Sequence, residues 1–498
     1  MKYLSSKYLK YILLALLIYM PIFGHLDTLP IRIWDESRSA MNAYEMFHDK
    51  DYIVTHFEGK PDMWNTKPPL LIWAQVFFMK LIGANELSVR LPSAIAAFLT
   101  CIVLLFFSVR YIKEFWLGFI AIIVLITSSG YINIHATRTG DYDALLAFFT
   151  TMSGLFFFVF METKNNKYIY LFFLSITLAV LTKSIMGVMF VPAMVIYALW
   201  QKQFLSLLKN KHFYAGLISF LIIIAGYYWI REIRNPGYIA AVQLNELGGR
   251  YLNVIESHKC GFWYYYTNFI DFQLSKWYLL VPCGLVIGLL HKDPKIKKIT
   301  LFAALMILTY FMIISTAQTK LEWYDVPMYP FIALLVAIFV FYIFNLLKQI
   351  NWTTFNLSSN YIVSFIFLFL LSITPYRRIL DKTYFPQENS WDKDFYEIGY
   401  FLKDAVKGKQ DVDHYFLLYS GYSAQNLFYL GILHDKGVNI KLKDWKALDK
   451  GDKVIVQQQN IKDFLNNNYI LENIAQINNV IKYRIVDKKI DEISKQIK

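Results

Sequence analysis

One polar segment organises this chain: IRIWDESRSAMNAYEMFHDKDYIVTHFEGKPDMWNTKPP, residues 31–69. It is crowded with ionisable side chains, whereas the sequence before it and most of the sequence after it is strongly apolar. Because charges are costly near lipid, we expect a membrane protein to group them where they serve a purpose. We therefore predict that this segment covers an active site at a membrane surface. Its ends, near Asp35 and Lys67, should be held at the membrane, and its middle, residues 48–62, should be solvated.

The composition indicates a membrane protein. Of the 498 residues, 56% are hydrophobic and 18% are aromatic, more apolar surface than a soluble domain can bury. Many apolar runs reach the roughly 18 to 20 residues that cross a bilayer as a helix. Because a backbone in lipid must satisfy its own hydrogen bonds, these runs should be helical. We predict an all-α polytopic membrane protein of about 11–13 spans.

The distribution of Lys and Arg predicts the orientation of the spans. We place spans at about 11–29, 91–109, 115–134, 144–161, 168–181, 185–200, 213–230, 277–290, 299–316, 326–347 and 361–373, with an interfacial helix at 70–83. Lys and Arg concentrate in the short loops of one side, which the positive-inside rule makes cytoplasmic. The first span follows Lys2, Lys7 and Lys10 and lacks a cleavage site, so we expect an uncleaved span with a cytoplasmic N-terminus.

The composition changes after Pro375. We predict a transmembrane domain over residues 1–375, whose first extracytoplasmic loop is 31–69, and a small extracytoplasmic α/β domain over residues 376–498. In the latter, 414–420 and 453–456 should be strands and 424–430 and 459–466 helices. The net charge of +13 is explained by loop lysines and predicts no nucleic-acid partner. Three cysteines provide no disulfide framework or metal spacing.

Two acidic motifs lie at the outer ends of predicted spans. Asp35 and Glu36 follow the first span, with Trp34 as an interface anchor and Arg38 as a charge partner, and either carboxylate could act as a base or a cation ligand. A solvated loop pair is the alternative. The motif RTGDYD, residues 138–143, precedes the fourth span, and Asp143 is the deeper of its two carboxylates, beside Asp141.

Cationic residues are expected to meet these carboxylates on the same face. Lys67 precedes two prolines that stiffen its backbone and suits a phosphate, although a lysine that snorkels to the headgroups is the alternative. Lys183 and Lys320, each at an outer span end, are individually more typical of interface anchors. With Lys67 and Arg138 they form a set suited to a lipid phosphate or pyrophosphate. A phosphate-cradling loop and a dinucleotide fingerprint are both absent from the sequence.

The order of the motifs resembles a known group. Trp34-Asp-Glu is followed by Lys67-Pro-Pro-Leu, by Arg-Leu-Pro-Ser-Ala at 90–94 and by the RTGDYD motif. Leu-Thr-Lys at 181–183, His258 with Phe-Trp-Tyr at 262–264, and Thr-Lys at 319–320 with Tyr324 continue the match. This pattern resembles the aminoarabinose transferase and protein O-mannosyltransferase group, membrane glycosyltransferases of the GT-C fold that use polyprenyl-phosphate sugars. It covers about residues 10 to 350.

The resemblance implies roles for these residues. Asp35 would be the catalytic carboxylate of the first loop and Asp143 the second acidic site. The donor phosphate would be held by Lys67, Arg138, Lys320 and Tyr324, and further site candidates are Glu36, Asp141, Lys183 and His258. The implied reaction is an inverting transfer to lipid A, another glycolipid or glycan, or a protein at the outer face of the bacterial inner membrane, with the C-terminal domain in the periplasm.

One position departs from the aminoarabinose branch. That branch has a Glu directly before Lys-Pro-Pro, which together with a loop histidine resembles a metal pair, whereas this chain has Thr66. The difference argues against a divalent metal at His258 and weakens the case for lipid A as the acceptor. Two alternatives remain: a glycan polymerase or ligase that uses lipid-linked sugars, and a transporter or flippase for such lipids. A transporter would favour charges buried mid-span and internal repeats, and neither is visible in the sequence.

Overall fold

The computed structural model describes residues 6–254, 258–350 and 360–489. The helices of the bundle and its polar insertions are α1 (Ser6–Phe23), α2 (Asp35–Asp49), α3 (Leu70–Ile82), α4 (Glu86–Phe107), α5 (Phe115–Ile126), α6 (Asp143–Thr163), α7 (Asn166–Lys183), α8 (Val191–Trp200), α9 (Phe204–Leu208), α10 (Lys211–Arg234), α11 (Tyr238–Val242), α12 (Gly249–Leu252), α13 (Tyr264–Asn268), α14 (Leu280–Leu290), α15 (Pro294–Thr316), α16 (Tyr329–Gln349) and α17 (Asn360–Tyr384). The C-terminal segment adds α18 (Lys393–Val406), α19 (Ala424–Asp435) and α20 (Gln459–Asn468). The strands are β1 (His56–Phe57), β2 (Lys60–Pro61), β3 (Tyr415–Leu418), β4 (Ile440–Leu442), β5 (Lys453–Val456), β6 (Tyr469–Ile477) and β7 (Val480–Lys488).

The chain is a multi-pass membrane protein. Among the described residues, 7 helices are long and apolar enough to cross a bilayer, and α1, α3, α5, α8 and α14 are shorter apolar helices. Each predicted span coincides with one of these helices, and α3 is the helix predicted to lie at the interface. The prediction of an all-α polytopic bundle is confirmed. Of the N-terminal lysines, Lys2 lies outside the described residues.

The third predicted span is shorter than its apolar run. We predicted it to continue to residue 134, but α5 ends at Ile126. The hydroxyl groups of Thr127 and Ser128 donate to the carbonyls of Ile123 and Val124, at 2.6 and 2.7 Å. Hydroxyls that bond back to helix carbonyls compete with continued helix. The chain then turns, and residues 128–142 form a buried loop at the mouth of α6 instead of more bundle.

The first polar segment is a folded layer. Residues 35–49 form α2, and the β1–β2 hairpin follows. Ala40 and Met46 of α2 belong to one hydrophobic core with Ile72 of α3, Phe401 of α18 and Phe428 of α19. The expectation that residues 48–62 are solvated is wrong for Val54, Thr55 and Asp62, which are 3%, 3% and 1% exposed. We call residues 31–69 and 385–489 together the polar cap.

The C-terminal segment has the predicted α/β architecture. Its sheet has the strand order β4-β3-β5-β7-β6, in which β3 pairs in parallel with β4 and β5, while β7 pairs antiparallel with β5 and β6. The boundary proposed after residue 375 falls inside α17, which continues to Tyr384. Because this segment shares a core with α2 and α3, it is joined to the first polar segment. Residues 490–498 of the predicted domain lie outside the described residues.

Candidate active site

A cavity of about 830 Å³ is lined jointly by the bundle and the polar cap. Its wall includes the carboxylates of Asp35, Asp141 and Asp143, and also aliphatic side chains, Met186, Met189, Ile313 and Ile314 among them. Trp391 and Tyr422 reach it from the C-terminal segment. A cavity that combines charged groups with an apolar wall suits an amphipathic ligand.

Asp35 is the accessible carboxylate of this cavity. It is the first residue of α2, and the residue before it, Trp34, has a φ of 73°. A helix N-terminus favours negative charge. The Asp35 side chain is 54% exposed, and Nδ1 of His135 lies 3.6 Å from its Oδ2. Because the carboxylate faces the cavity, it can accept a proton from a ligand there.

Glu36 has a structural position instead of a place in the cavity. Its Oε1 and Oε2 accept from Nε and Nη2 of Arg90, at 2.6 and 2.9 Å. The same carboxylate accepts from the backbone N–H groups of Arg32 and Gly140, at 2.7 and 2.9 Å. Glu36 is 1% exposed. Although the sequence pairs it with Asp35, α2 turns its side chain inward, where it joins three segments of chain.

We predicted that Arg38 is the charge partner of Asp35 and Glu36, but its guanidinium pairs with Asp62 instead. Its Nε and Nη2 donate to the two carboxylate oxygens of Asp62, both at 2.7 Å, and its guanidinium lies 3.6 Å from the centroid of the Phe57 ring. Burial alone would raise the pKa of Asp62, but the hydrogen bonds and charge of Arg38 outweigh it and hold that pKa below its usual value. This contact fixes the β1–β2 hairpin against α2.

Asp141 stands beside a buried histidine. His135 Nδ1 lies 3.3 Å from Oδ2 of Asp141 and 3.6 Å from Oδ2 of Asp35. The Thr139 hydroxyl donates to the same Asp141 oxygen at 2.6 Å. The candidate Asp141 thus joins Asp35 through His135.

Asp143 and Lys183 form one buried ion pair. Lys183 Nζ donates to both carboxylate oxygens of Asp143, at 2.7 and 2.8 Å. The ammonium also lies 5.0 Å from the centroid of the Tyr324 ring, and Ser184 after it has a φ of 48°. Asp143, Lys183 and Tyr324 all line the cavity. Asp143 is 2% exposed, and its ion pair makes it a support for Lys183 more than a free base.

Lys67 is the more loosely held cation of the cavity wall. Its Nζ lies 3.7 Å from Oε1 of Glu246 and donates to Oδ1 of Asn65 at 3.4 Å. The Thr66 hydroxyl donates to Oε1 of Glu246 at 3.5 Å. A carboxylate therefore does stand beside Thr66, although another part of the chain contributes it.

Two predicted phosphate ligands do not line this cavity. Arg138 donates to the carbonyls of Ile22 and Gly24, at 3.1 and 2.6 Å, and borders a second cavity of about 510 Å³. Lys320 is 5% exposed, and its Nζ donates to the carbonyls of Ala317 and Cys260. The side chains of both residues therefore donate to backbone carbonyls instead of facing this cavity.

A metal would have a different location from the one considered from the sequence. His258 lines the cavity, but the cluster found among the described residues consists of Asp35, His135 and Asp141, whose ligand atoms lie within 4.8 Å of one another. Oxygen and imidazole ligands at such distances suit a divalent cation. Whether Nδ1 of His135 is available as a ligand depends on which of the two ring nitrogens carries the proton.

Sequence reasoning missed Arg32, His135 and Asp392. Arg32 Nη1 lies 2.6 Å from Nε2 of His135, and its Nε and Nη2 donate to Oδ2 of Asp392, both at 3.3 Å. His135 lies in the motif region HATRTGDYD, so its proximity to Asp141 was a usable signal. Asp392 is 360 positions from Arg32 in a segment without a recognisable motif.

Comparisons with known proteins support the resemblance. The family described as dolichyl-phosphate-mannose-protein mannosyltransferase matches residues 66–229. The undecaprenyl phosphate-alpha-4-amino-4-deoxy-L-arabinose arabinosyl transferase of Aeromonas salmonicida is 26% identical over 323 residues, which are 63% of this chain and 56% of that protein. Its counterpart from Aeromonas hydrophila is 25% identical with the same coverage. The chain therefore spans just over half the length of these curated relatives.

The solved structures give the fold. The crystal structure of ArnT from Cupriavidus metallidurans bound to undecaprenyl phosphate superposes with a TM-score of 0.68 and 14% identity, over 96% of this chain and 98% of that one. The apo structure of the same protein gives a TM-score of 0.65. The predicted GT-C-like bundle with a small C-terminal α/β domain is confirmed, and the chain is similar to the aminoarabinose transferases.

Proposed function

We propose that this protein is an inverting glycosyltransferase that moves a sugar from a polyprenyl-phosphate donor to an oxygen of an acceptor. The observation that carries the proposal is the 830 Å³ cavity, in which the accessible Asp35 shares a wall with Lys67, Lys183 and aliphatic side chains. A donor of this class needs the same three features: a base for the acceptor, cations for the phosphate and an apolar surface for the lipid. The similarity to arabinosyl transferases supports it.

The reaction follows from these groups. Asp35 takes the proton of the acceptor while the acceptor atom attacks the anomeric carbon from the face opposite the phosphate. The bond between that carbon and the phosphate oxygen breaks, and polyprenyl phosphate leaves with the electron pair. Lys67 stabilises its charge, and Lys183 supplies the ammonium hydrogen that Asp143 does not use. Inversion follows from one direct displacement.

The acceptor is proposed only by class. The polar cap borders the cavity through Trp34, Tyr422 and Trp391, so the acceptor enters past the polar cap, at the outer face of the bacterial inner membrane. Trp34 and Tyr422 stack with their centroids 4.9 Å apart, and such a surface accepts the apolar face of a sugar. A glycolipid such as lipid A or a membrane-linked glycan suits this entrance. A polymerase or ligase would use the same donor chemistry.

The proposal is tested by donor turnover. Purified protein in lipid nanodiscs is incubated with a panel of undecaprenyl-phosphate sugars that includes 4-amino-4-deoxy-L-arabinose, together with lipid A or an envelope glycan extract. We expect release of undecaprenyl phosphate that requires both a donor and an acceptor, with the sugar recovered on the acceptor in the inverted configuration. Movement of intact donor across the bilayer of sealed proteoliposomes, without release of undecaprenyl phosphate, would support a flippase instead.

Replacement of Lys67 should weaken donor binding. In Lys67→Met, loss of a charged hydrogen bond to phosphate should raise the donor KM by about 10- to 100-fold, since such bonds contribute about 1.5–3 kcal/mol. Steady-state kinetics over donor concentration measures this. Lys320→Met is the matched control, because that ammonium faces carbonyls, and its KM should match wild type. A raised donor KM in Lys320→Met with an unchanged KM in Lys67→Met would indicate that Lys320, and not Lys67, binds the phosphate.

A further inference from the structure

We infer that His135 is a positioning residue for Asp35, fixed in one tautomer by Arg32, which Asp392 of the polar cap holds in place. In this tautomer, Nδ1–H of His135 is directed at the carboxylates of Asp35 and Asp141, and on closure of the site it donates to Asp35 and orients it. The catalytic consequence rests on the proposed transferase function. The tautomer itself does not, and it can be measured without a substrate.

Arg32 determines which nitrogen of His135 carries the proton. Its Nη1 lies 2.6 Å from Nε2 of His135. A guanidinium has only donors and is always protonated, so Nε2 must be the acceptor. A neutral imidazole with an accepting Nε2 carries its proton on Nδ1.

The ring has little freedom to leave this arrangement. It stacks on Trp323 with the centroids 3.6 Å apart and the planes at 15°. His135 is 6% exposed and has a φ of 62°, and its backbone N–H donates to the Thr139 hydroxyl at 2.7 Å. A residue other than glycine in the left-handed region is uncommon and is often found at functional sites.

The protonated nitrogen is directed at the two carboxylates. Nδ1 lies 3.3 Å from Asp141 Oδ2 and 3.6 Å from Asp35 Oδ2. It is buried and makes no hydrogen bond of good geometry within the described residues. A buried donor without a partner is costly, so a small closure of the site would be favourable. Catalytic hydrogen bonds are often long before substrate binds and shorten in the complex.

Asp392 connects the C-terminal segment to this network. Its Oδ2 accepts from Nε and Nη2 of Arg32, both at 3.3 Å, and it is 1% exposed. The neighbouring Trp391 ring lies 5.4 Å from the guanidinium. The order of contacts runs from Asp392 through Arg32 and His135 to Asp35. The C-terminal segment thus acts on the proposed base through Arg32 and His135.

The same geometry disfavours the metal alternative. A metal could bind Nδ1 only if that nitrogen had no proton. Neutral His135 would then carry its proton on Nε2, directed at Arg32 Nη1 across 2.6 Å. Two donors would face each other, so metal binding would require Arg32 to move away. Binding of a metal at Asp35, His135 and Asp141 is therefore the result that overturns the inference.

Nitrogen NMR measures the tautomer directly. Protein labelled with ¹⁵N-histidine is placed in lipid bilayers, and the His135 signals are assigned by their loss in His135→Asn. We expect a neutral ring protonated at Nδ1, and we expect Arg32→Met to shift it toward protonation at Nε2. Arg484→Met is the matched control, since Arg484 is 56% exposed. A ring protonated at Nε2 in wild type, or one Mn²⁺ bound per chain and lost in His135→Asn, would overturn the assignment.

Kinetics tests the consequence for catalysis. His135→Ala should lower kcat by about 10- to 100-fold with little change in donor KM, because a hydrogen bond to a reacting charged group is lost. His135→Asn should recover much of that loss, since the amide N–H of asparagine can replace Nδ1–H. His135→Gln should recover less. Equal losses in Ala and Asn would overturn the positioning role. If wild type transfers no sugar while the ring is protonated at Nδ1, the proposed function fails and the tautomer stands.

Discussion

Asp35→Asn is expected to lower the rate of sugar transfer by about 10²- to 10⁴-fold, the contribution typical of a general base. The substitution keeps the shape of the side chain and its place at the start of α2, but an amide cannot take the proton of the acceptor. Binding of undecaprenyl phosphate should be unchanged, because Lys67 and Lys183 remain. Single-turnover release of undecaprenyl phosphate measures the rate, and a separate equilibrium titration measures binding.

Asp49→Asn is the matched control for this experiment. Asp49 is the last residue of the same helix and is exposed to solvent, so its replacement should leave both rate and binding unchanged. A wild-type rate in Asp35→Asn would remove Asp35 from the chemistry. Asp143, which its ion pair with Lys183 now makes a support, would then be the next base to consider.

Glu36→Ala is expected to have the largest effect on folding. It removes the partner of the buried Arg90 and the acceptor of two backbone N–H groups. Removal of one partner from a buried ion pair costs about 3–5 kcal/mol because the other charge stays buried and uncompensated. We expect a much lower yield of folded protein and a lower temperature of half-unfolding in detergent. Size-exclusion chromatography after heating measures that temperature.

Glu58→Gln is the control for this substitution. Glu58 is exposed, and its neutralisation should leave the unfolding temperature near that of wild type. A Glu36→Ala protein that is as stable as wild type but transfers no sugar would contradict the structural role. It would restore the catalytic role that the sequence assigns to Glu36 through its place beside Asp35.

The sequence predicts the helices well because their cause is local. Runs of apolar residues long enough to cross lipid must be helical, and each predicted span coincides with a helix. Errors occur where tertiary contacts decide. At Gly130, a Cβ would lie 1.9 Å from the Tyr329 hydroxyl oxygen, so α16 packs directly against the turn that follows α5. That contact cannot be seen in a hydropathy pattern.

For the site residues too, what depends on local sequence was predictable and what depends on tertiary contacts was not. Membership of one membrane face could be inferred from topology, and Asp35, Asp143, Lys67 and Lys183 do line one cavity. The direction of each side chain could not be inferred. Glu36 turns to the guanidinium of Arg90 and to backbone N–H groups. Arg138 and Lys320 turn to backbone carbonyls of the chain itself. Asp392 was unpredictable, because its contact with Arg32 depends on how the C-terminal segment packs.

The central claim is that the 830 Å³ cavity holds the lipid phosphate of the donor. The most direct measurement is a cryo-electron microscopy structure of the full chain in nanodiscs saturated with undecaprenyl phosphate. We predict that the phosphate lies within hydrogen-bond distance of Lys67 and Lys183, with the lipid along Met186 and Ile313 and with Asp35 facing the phosphate across the sugar position. A phosphate bound beside Arg138 in the second cavity, or an empty cavity at saturating lipid, would contradict it.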